Sequence, residues 1–352
     1  MRILFICFSS LKFNVRTPFE APLGGTESAV CYLSIALAQM GHQVMLMRNT
    51  DVDDTGMIIG GVEHIKITDD AKHLNPDVVV IVSAPMASIG VRNVWPEAKI
   101  VLWNHMRPDQ PAMAHLFEAK YRAPIDKIVY VSDSQRKAFL ESGKDVNGSV
   151  IQNAISPCFA DRFRSAQDIL EAKRCRGAYT STPYRGLAVL ASIKELPIDV
   201  YSSMQVYQGD DGDYEAMYAK LKANDCITLH GSKGQSELAA VLRPVAFLVY
   251  PSIFTECHSI AILEAMAMGL KVITTTVAHE PTEFVESLPY ATTTLDDYTA
   301  TLRKNITFFR SQPEKWAEQM WKQVQYVNSE FTWAKRAREW DTHLLNLLMT
   351  PI

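Results

Sequence analysis

The sequence predicts an α/β protein of two doubly wound, Rossmann-like parallel-sheet domains in tandem. Three observations predict it. The chain has 352 residues, 47% of them hydrophobic, which suits two cores of roughly 150 residues each better than one. Short, continuous apolar runs alternate with amphipathic helical patterns, as in a parallel sheet covered on both faces. The same alternation then stops at a charged break and starts again.

The elements follow in order. "RILFICF" is a strand, "TESAVCYLSIALAQMG" a helix closed by Gly41, and "HQVMLMR" the next strand. "DVVVIVS", "KIVLWN", "KIVYVS" and "SVIQN" continue the series. Residues 155–177 are charged and lack strand patterning, so the connection between domains is expected there. The second series comprises a strand at "AYTS", a helix from about Gly186, strands "IDVYS" and "CITLHG", the helix "SELAAVLR", strand "AFLVYPS", an apolar helix and strand "KVITT". Residues 1–160 and 176–330 are the expected domains, and a C-terminal helix over 331–352 is expected to pack back on the first. The last helical stretch carries four of the six tryptophans and reads as a helix pair packed by aromatics. No internal repeat or low-complexity segment stands out.

Charge and cysteine usage narrow the function. A balance of 35 basic against 39 acidic residues, net charge -4, gives no electrostatic footprint for nucleic acid or an anionic membrane. Six cysteines without a CxxC pair, and no histidine cluster at zinc-ligand spacing, read as reduced thiols of a cytoplasmic protein. The apolar run in "MRILFICFSS" is at the short limit of a signal-peptide core, lacks a small-residue cleavage site and fits a buried first strand better. "DVDD" and "GDDGD" read as solvated turns, not metal sites. Small-molecule chemistry is the expectation.

The most informative stretch is "FTECHSIAILEAMAMGLKVITT", where Glu256 and Glu264 bracket the start of an apolar, glycine-terminated helix. Ligands of an open parallel sheet collect beyond the carboxyl ends of its strands, and "AFLVYPS" delivers the chain to that edge. A helix starting near Ser259 turns the amides of Cys257, His258, Ser259 and Ile260 outward as an anion site. Glu264 then lies roughly 7 to 8 Å along the helix from its start, about the span from a diphosphate to its ribose. A carboxylate matches a vicinal diol, and Glu256 sits where it can accept sugar hydroxyls. A nucleotide diphosphate sugar satisfies both. An acidic residue near a helix start also suits the dipole alone, but Glu264 among apolar neighbours needs a partner if buried.

With these residues in view, "VYPSIFTECHSIAILEAMAMGLKVITT" resembles the signature of the retaining family 4 glycosyltransferases (glycosyl transferases group 1), which have the GT-B fold. "GGTESAVCYLSIALAQMGHQV", "VSDSQRKAFL", "VIQNAISPCF" and "HEPTEF" extend the similarity over most of the chain. The resemblance implies two Rossmann-like domains facing across a cleft. It makes Glu264 the ribose ligand and Glu256 the contact to the donor sugar. It places Gly24 and Gly25 beside the diphosphate, His105 of "VLWNHMRPD" near the donor sugar, and Glu283 in the donor loop. The family's paired Arg and Lys in the first loop of the second domain are only half present: Arg185 is there, Thr180 or Ser181 stands where the other cation belongs, and Lys233 is the candidate substitute.

The implied reaction moves a sugar from a UDP- or GDP-linked donor to a hydroxyl of a glycan, lipid-linked or protein acceptor, with retention and without a metal ion or other cofactor. Membrane association is compatible with this reading but not indicated. Two alternatives share the architecture: a non-hydrolysing sugar-nucleotide epimerase and a non-catalytic nucleotide-sugar-binding subunit.

Overall fold

The computed structural model describes residues 1–48, 54–67, 71–142, 148–277 and 291–350. The chain divides into two compact units, Met1–Pro18 with Gly24–Ala154 and Trp333–Ile352, and Phe19–Leu23 with Ile155–Thr332.

The first unit is built on eight strands: β1 (Arg2–Cys7), β2 (Gln43–Arg48), β3 (Ile58–Ile59), β4 (Val62–Lys66), β5 (Val78–Val82), β6 (Lys99–Asn104), β7 (Lys127–Tyr130) and β8 (Gly148–Val150). Their order is β3-β4-β2-β1-β5-β6-β7-β8. All neighbours are parallel except the β3–β4 pair. β1 and β5 are buried along nearly their whole length, which is why they read as unbroken apolar runs rather than alternating ones. The chain leaves β1 toward β2 on one side and returns as β5 on the other, so the order reverses between β1 and β5. The helix Trp333–Met349 packs on the helix Gly25–Gln39. Ring pairs Tyr32–Trp333 and Trp103–Trp340 lie 5.9 and 5.2 Å apart within this unit.

The second unit has six parallel strands: β9 (Arg174–Tyr179), β10 (Ile198–Val200), β11 (Ile227–Leu229), β12 (Val245–Tyr250), β13 (Lys271–Thr275) and β14 (Ala291–Thr293). Their order is β11-β10-β9-β12-β13-β14, with the reversal between β9 and β12. The helix Ile260–Ala267 connects β12 to β13 and ends at Gly269, whose φ of 66° is the left-handed turn glycine supplies most readily. Lys173 is buried under this layer, its ammonium donating to the carbonyls of Val245 (2.7 Å), Met268 (2.6 Å) and Leu242 (3.4 Å). Two of these belong to helix ends, where carbonyls lack intrahelical donors and a cation is favoured. Gln323 does a related task, donating to Met266 and Leu270 carbonyls at 3.0 and 2.9 Å.

Three expectations are corrected. The segment 155–177 is not a plain connection: it holds the helix Ala166–Ala172, capped by Ser165, and the start of β9. The strand opens on "RCR", whose charges hid it. No α-helix follows Gly186; the chain forms two 3-10 segments, Pro183–Arg185 and Leu187–Ser192. Gly186 has φ 102°, and a Cβ there would stand 2.1 Å from the Pro251 carbonyl oxygen, so the backbone turns left-handed and lies directly against the next loop. The aromatic packing of the last two long helices lies within separate units: Trp316 of Pro313–Glu330 meets Phe247 and Phe309 in the second, and Trp333 and Trp340 of Trp333–Met349 meet Tyr32 and Trp103 in the first.

Candidate functional site

The reversal between β9 and β12 brings two loops of the second unit together, residues 180–186 and 251–259. Gly186 permits the contact, and the result is a pair of opposite charges. Arg185 Nη1 donates to Glu256 Oε1 at 2.7 Å. The Tyr250 hydroxyl, at the end of β12, donates to the same oxygen at 2.5 Å. The Glu256 side chain is 6% exposed and that of Arg185 21%, so the pair is largely out of water and each charge depends on the other. The Arg185 guanidinium also lies 4.7 Å from the Phe254 ring centroid and 5.6 Å from that of Tyr184, a cation held over aromatic faces. Its Nε is buried and has no acceptor among the described residues. A buried donor without an acceptor is what a polar ligand would satisfy.

The loop that presents Glu256 is tied down at both ends. Ser252 Oγ donates to the Phe254 carbonyl at 3.0 Å, and Thr275 of β13 donates to the Ser252 carbonyl. Ser181, one of the two residues standing where a second cation was expected, has its hydroxyl 3.5 Å from that of Tyr250.

Ser259 is the N-cap of the helix Ile260–Ala267, and its side chain makes no capping bond. Its hydroxyl therefore satisfies none of the first amides, which have no acceptor within the helix itself. Cys257 is half-buried, His258 and Ser259 buried. Glu264 follows on the same helix, 4% exposed. Its Oε1 accepts the Ser156 backbone N–H at 3.2 Å, and the Gln235 side chain is a second partner. Burial pushes the carboxyl up to about 8, against the opposing pull of those two bonds, so the group is mostly protonated at neutral pH. The partners that buried Glu264 required are thus an amide and a glutamine far away in the chain.

The other candidates fall as follows. Lys233 lies past β11, and its ammonium pairs with Glu237 in the first turn of the next helix; it makes no direct bond to Arg185, Glu256 or Glu264. Glu283 lies outside the described residues. In the first unit, Gly24 is the N-cap of the helix that starts at Gly25, and neither takes a left-handed backbone. The long loop before them is anchored at Val15, whose N–H donates to His64 Nε2 at 3.2 Å.

His105 follows β6. Its backbone N–H donates to Ser83 Oγ at 2.9 Å, and its ring lies 4.6 Å from that of Trp103. Burial pushes its pKa down to about 3, so the ring is neutral, and Nε2 has no partner among the described residues. Ser83, at the end of β5, has φ 48°, an uncommon left-handed conformation for a residue with a side chain.

Reading of the sequence alone missed Tyr250, Ser156, Gln235 and Ser83. A tyrosine ending a buried strand was the one available signal, since its hydroxyl needs a partner at the sheet edge.

Two doubly wound parallel sheets, with an Arg–Glu pair at one reversal point and a buried glutamate on the following helix, define the GT-B class of fold. The comparisons agree. Residues 199–307 match the sequence profile of the family Glycosyl transferases group 1. The chain is similar in structure to a glycosyltransferase of Rickettsia africae, with a TM-score of 0.75, 16% identity, and 99% of each chain covered. It is also similar to sucrose-phosphate synthase of Thermosynechococcus elongatus, with a TM-score of 0.74, 15% identity, and 98% of each chain covered. A third likeness is to HepE of Anabaena, solved in complex with UDP and glucose, with a TM-score of 0.71 and 14% identity over 98% of this chain and 100% of that one. No curated protein matches the chain in sequence. The expected GT-B fold is borne out, and the match to the glycosyl transferases group 1 profile falls within the second unit. Among the described residues no helix is long and apolar enough to cross a membrane.

Proposed function

We propose that the chain is a retaining, family 4-like glycosyltransferase that transfers a sugar from a nucleotide diphosphate sugar to an acceptor hydroxyl in glycan or glycoconjugate synthesis. The observation that carries the proposal is the Arg185–Glu256 pair at the β9/β12 reversal, with Glu264 buried on the helix that starts beside it. Each part has a task. Glu264 takes the ribose hydroxyls of the donor. The amides of the helix start around Cys257, His258, Ser259 and Ile260 take the diphosphate, as helix starts do for anions. Glu256 Oε2 accepts a hydroxyl of the sugar, while Oε1 stays bonded to Tyr250.

As the bond from the anomeric carbon to the phosphate oxygen breaks, negative charge gathers on the diphosphate. Arg185, already desolvated and oriented, stabilises that charge without a reorganisation cost. The acceptor oxygen then bonds to the anomeric carbon on the face the phosphate leaves, and its proton passes to the departing phosphate oxygen. Charge on the leaving group is handled by Arg185 and the helix start, so the reaction is proposed to need no metal. The complexes of HepE with UDP and with UDP-glucose make a UDP sugar the first donor to test.

The test is incubation with a panel of UDP and GDP sugars, reading nucleotide release with and without sugar acceptors. Acceptor-dependent release supports the proposal. Conversion of the donor to an isomer without acceptor would indicate an epimerase, and binding without turnover a non-catalytic subunit.

A further inference from the structure

One groove of the second unit takes no part in the roles above. It measures about 630 Å³ and is lined by Asp161, Phe163, Trp321, Gln325, Tyr326 and Asn328 among others. The helix Pro313–Glu330 forms one wall, with Trp321, Gln325 and Asn328 at i, i+4 and i+7 on a single face. The loop that leads into the helix Ala166–Ala172 forms the other.

The groove and the Arg185–Glu256 pair lie at opposite edges of the sheet. The Phe163 ring is 5.0 Å from the Lys173 ammonium, which donates to the carbonyl of Val245, the first residue of β12; Glu256 is bonded to Tyr250, the last. Val324, in the helix wall, lies beside Gly269 at the far end of the helix Ile260–Ala267. That helix has 8 residues, so the groove is about 12 Å or more from the helix start.

Two of its side chains have no partner in the protein. The other five tryptophans are buried, but Trp321 is left partly in water, with no ring contact or hydrogen bond among the described residues. Asp161 has φ 54°, uncommon for a residue with a side chain. Its N–H donates to Asn328 Oδ1 at 3.0 Å, and Asn328 donates in turn to the Val324 carbonyl at 2.9 Å. Arg243 holds the same loop, donating to the Arg162 carbonyl and lying 4.6 Å from the Phe163 ring centroid. The Asp161 carboxylate itself makes no bond among the described residues. A carboxylate on a fixed backbone, two amides and a half-exposed indole therefore line one hollow before any ligand arrives.

A pyranose ring presents a face of C–H groups and a rim of hydroxyls. An indole suits the face, and a carboxylate and amides suit the rim, supplying acceptors and donors in fixed planes. Asp161 is the one charged residue among the described residues of the lining, so a neutral sugar fits and an anionic one is disfavoured. We propose that this groove is a non-catalytic carbohydrate site that takes a neutral pyranose unit of a glycan. Binding there involves neither Arg185 nor Glu256 and does not require that the chain turn over a nucleotide sugar.

The test measures binding of maltose, cellobiose, lactose and N,N′-diacetylchitobiose to the full chain by calorimetry and ligand-observed NMR, with and without saturating UDP. At least one is expected to bind saturably, and UDP to make no difference. Trp321→Ala is expected to weaken that binding at least about tenfold, since it removes the stacked ring and its buried apolar area. Trp321→Phe keeps a ring and is expected to retain most of the affinity. Asp161→Gly suits the left-handed backbone, removes only the carboxylate, and is expected to weaken binding about threefold or more. Circular dichroism and thermal melts like those of wild type show that the variants fold. Saturable binding by none of the disaccharides, binding unchanged in both Trp321→Ala and Asp161→Gly, or binding fully displaced by UDP overturns the inference.

Discussion

Arg185 and Glu256 stand 71 residues apart in the chain and 2.7 Å apart in space, with Tyr250 donating to the same carboxylate oxygen. The pair couples stability to activity, because each charge is buried against the other. Arg185→Ala leaves Glu256 without its counter-ion, and loss of one partner of such a pair costs about 3 to 5 kcal/mol. Chemical denaturation of Arg185→Ala and of the double variant Arg185→Ala/Glu256→Gln checks this. The double variant is expected to recover part of the loss. Both are expected to turn over at least about a hundredfold more slowly, as when a preorganised charge partner of the transition state is removed.

Glu264 predicts a pH dependence of stability. Its folded pKa is raised from 4.5 to about 8, so the folded state holds a proton that the unfolded state releases at lower pH. The contribution is fully present below about pH 4.5 and is lost as pH rises through about 8. Stability of the ligand-free protein is expected to fall across that window by a few kcal/mol, and Glu264→Gln to remove most of the fall. Denaturant midpoints between pH 5 and pH 8.5 are the measurement.

His105 is neutral throughout the physiological range, its pKa pushed down to about 3. Turnover is expected to show no acid limb from this residue above about pH 5. His105→Ala is expected to lower kcat by about tenfold or more with little change in UDP affinity, checked by steady-state kinetics and nucleotide titration.

Lys173 is the structural counterpart. Burial pushes its pKa well down, yet three carbonyls hold it. Lys173→Ala strands those carbonyls and is expected to cost about 2 to 4 kcal/mol by thermal or urea melting. Lys233→Ala, which breaks only a surface pair with Glu237, is expected to cost less than about 1 kcal/mol.

If Arg185 and the helix start carry the leaving-group charge, chelation is irrelevant to the reaction. EDTA is expected to leave the nucleotide-release rate unchanged, and added magnesium or manganese not to raise it.

Both sheets were legible because parallel strands buried on two faces write themselves as apolar runs, and a run such as "DVVVIVS" has few other readings. The position of Glu256 and Glu264 followed from the strand before them. What stayed hidden was pairwise. Nothing local to Arg185 announces Glu256, nothing near Glu264 announces Ser156 or Gln235, and Ser83 meets His105 only because β5 and β6 are neighbours. The helix expected after Gly186 failed for a similar reason: its apolar pattern is helical, but the approach of Pro251 imposes a backbone that no local pattern encodes.

The assignment of Trp333–Ile352 to the first unit has a consequence for how the protein comes into being. A ribosome delivers residues 1–154 before the second unit, and Tyr32 and Trp103 receive Trp333 and Trp340 only after residues 155–332 have been made. The amino-terminal half must therefore wait, incomplete, while the other half is made. A gene fragment cut at residue 154 would express a protein missing one wall.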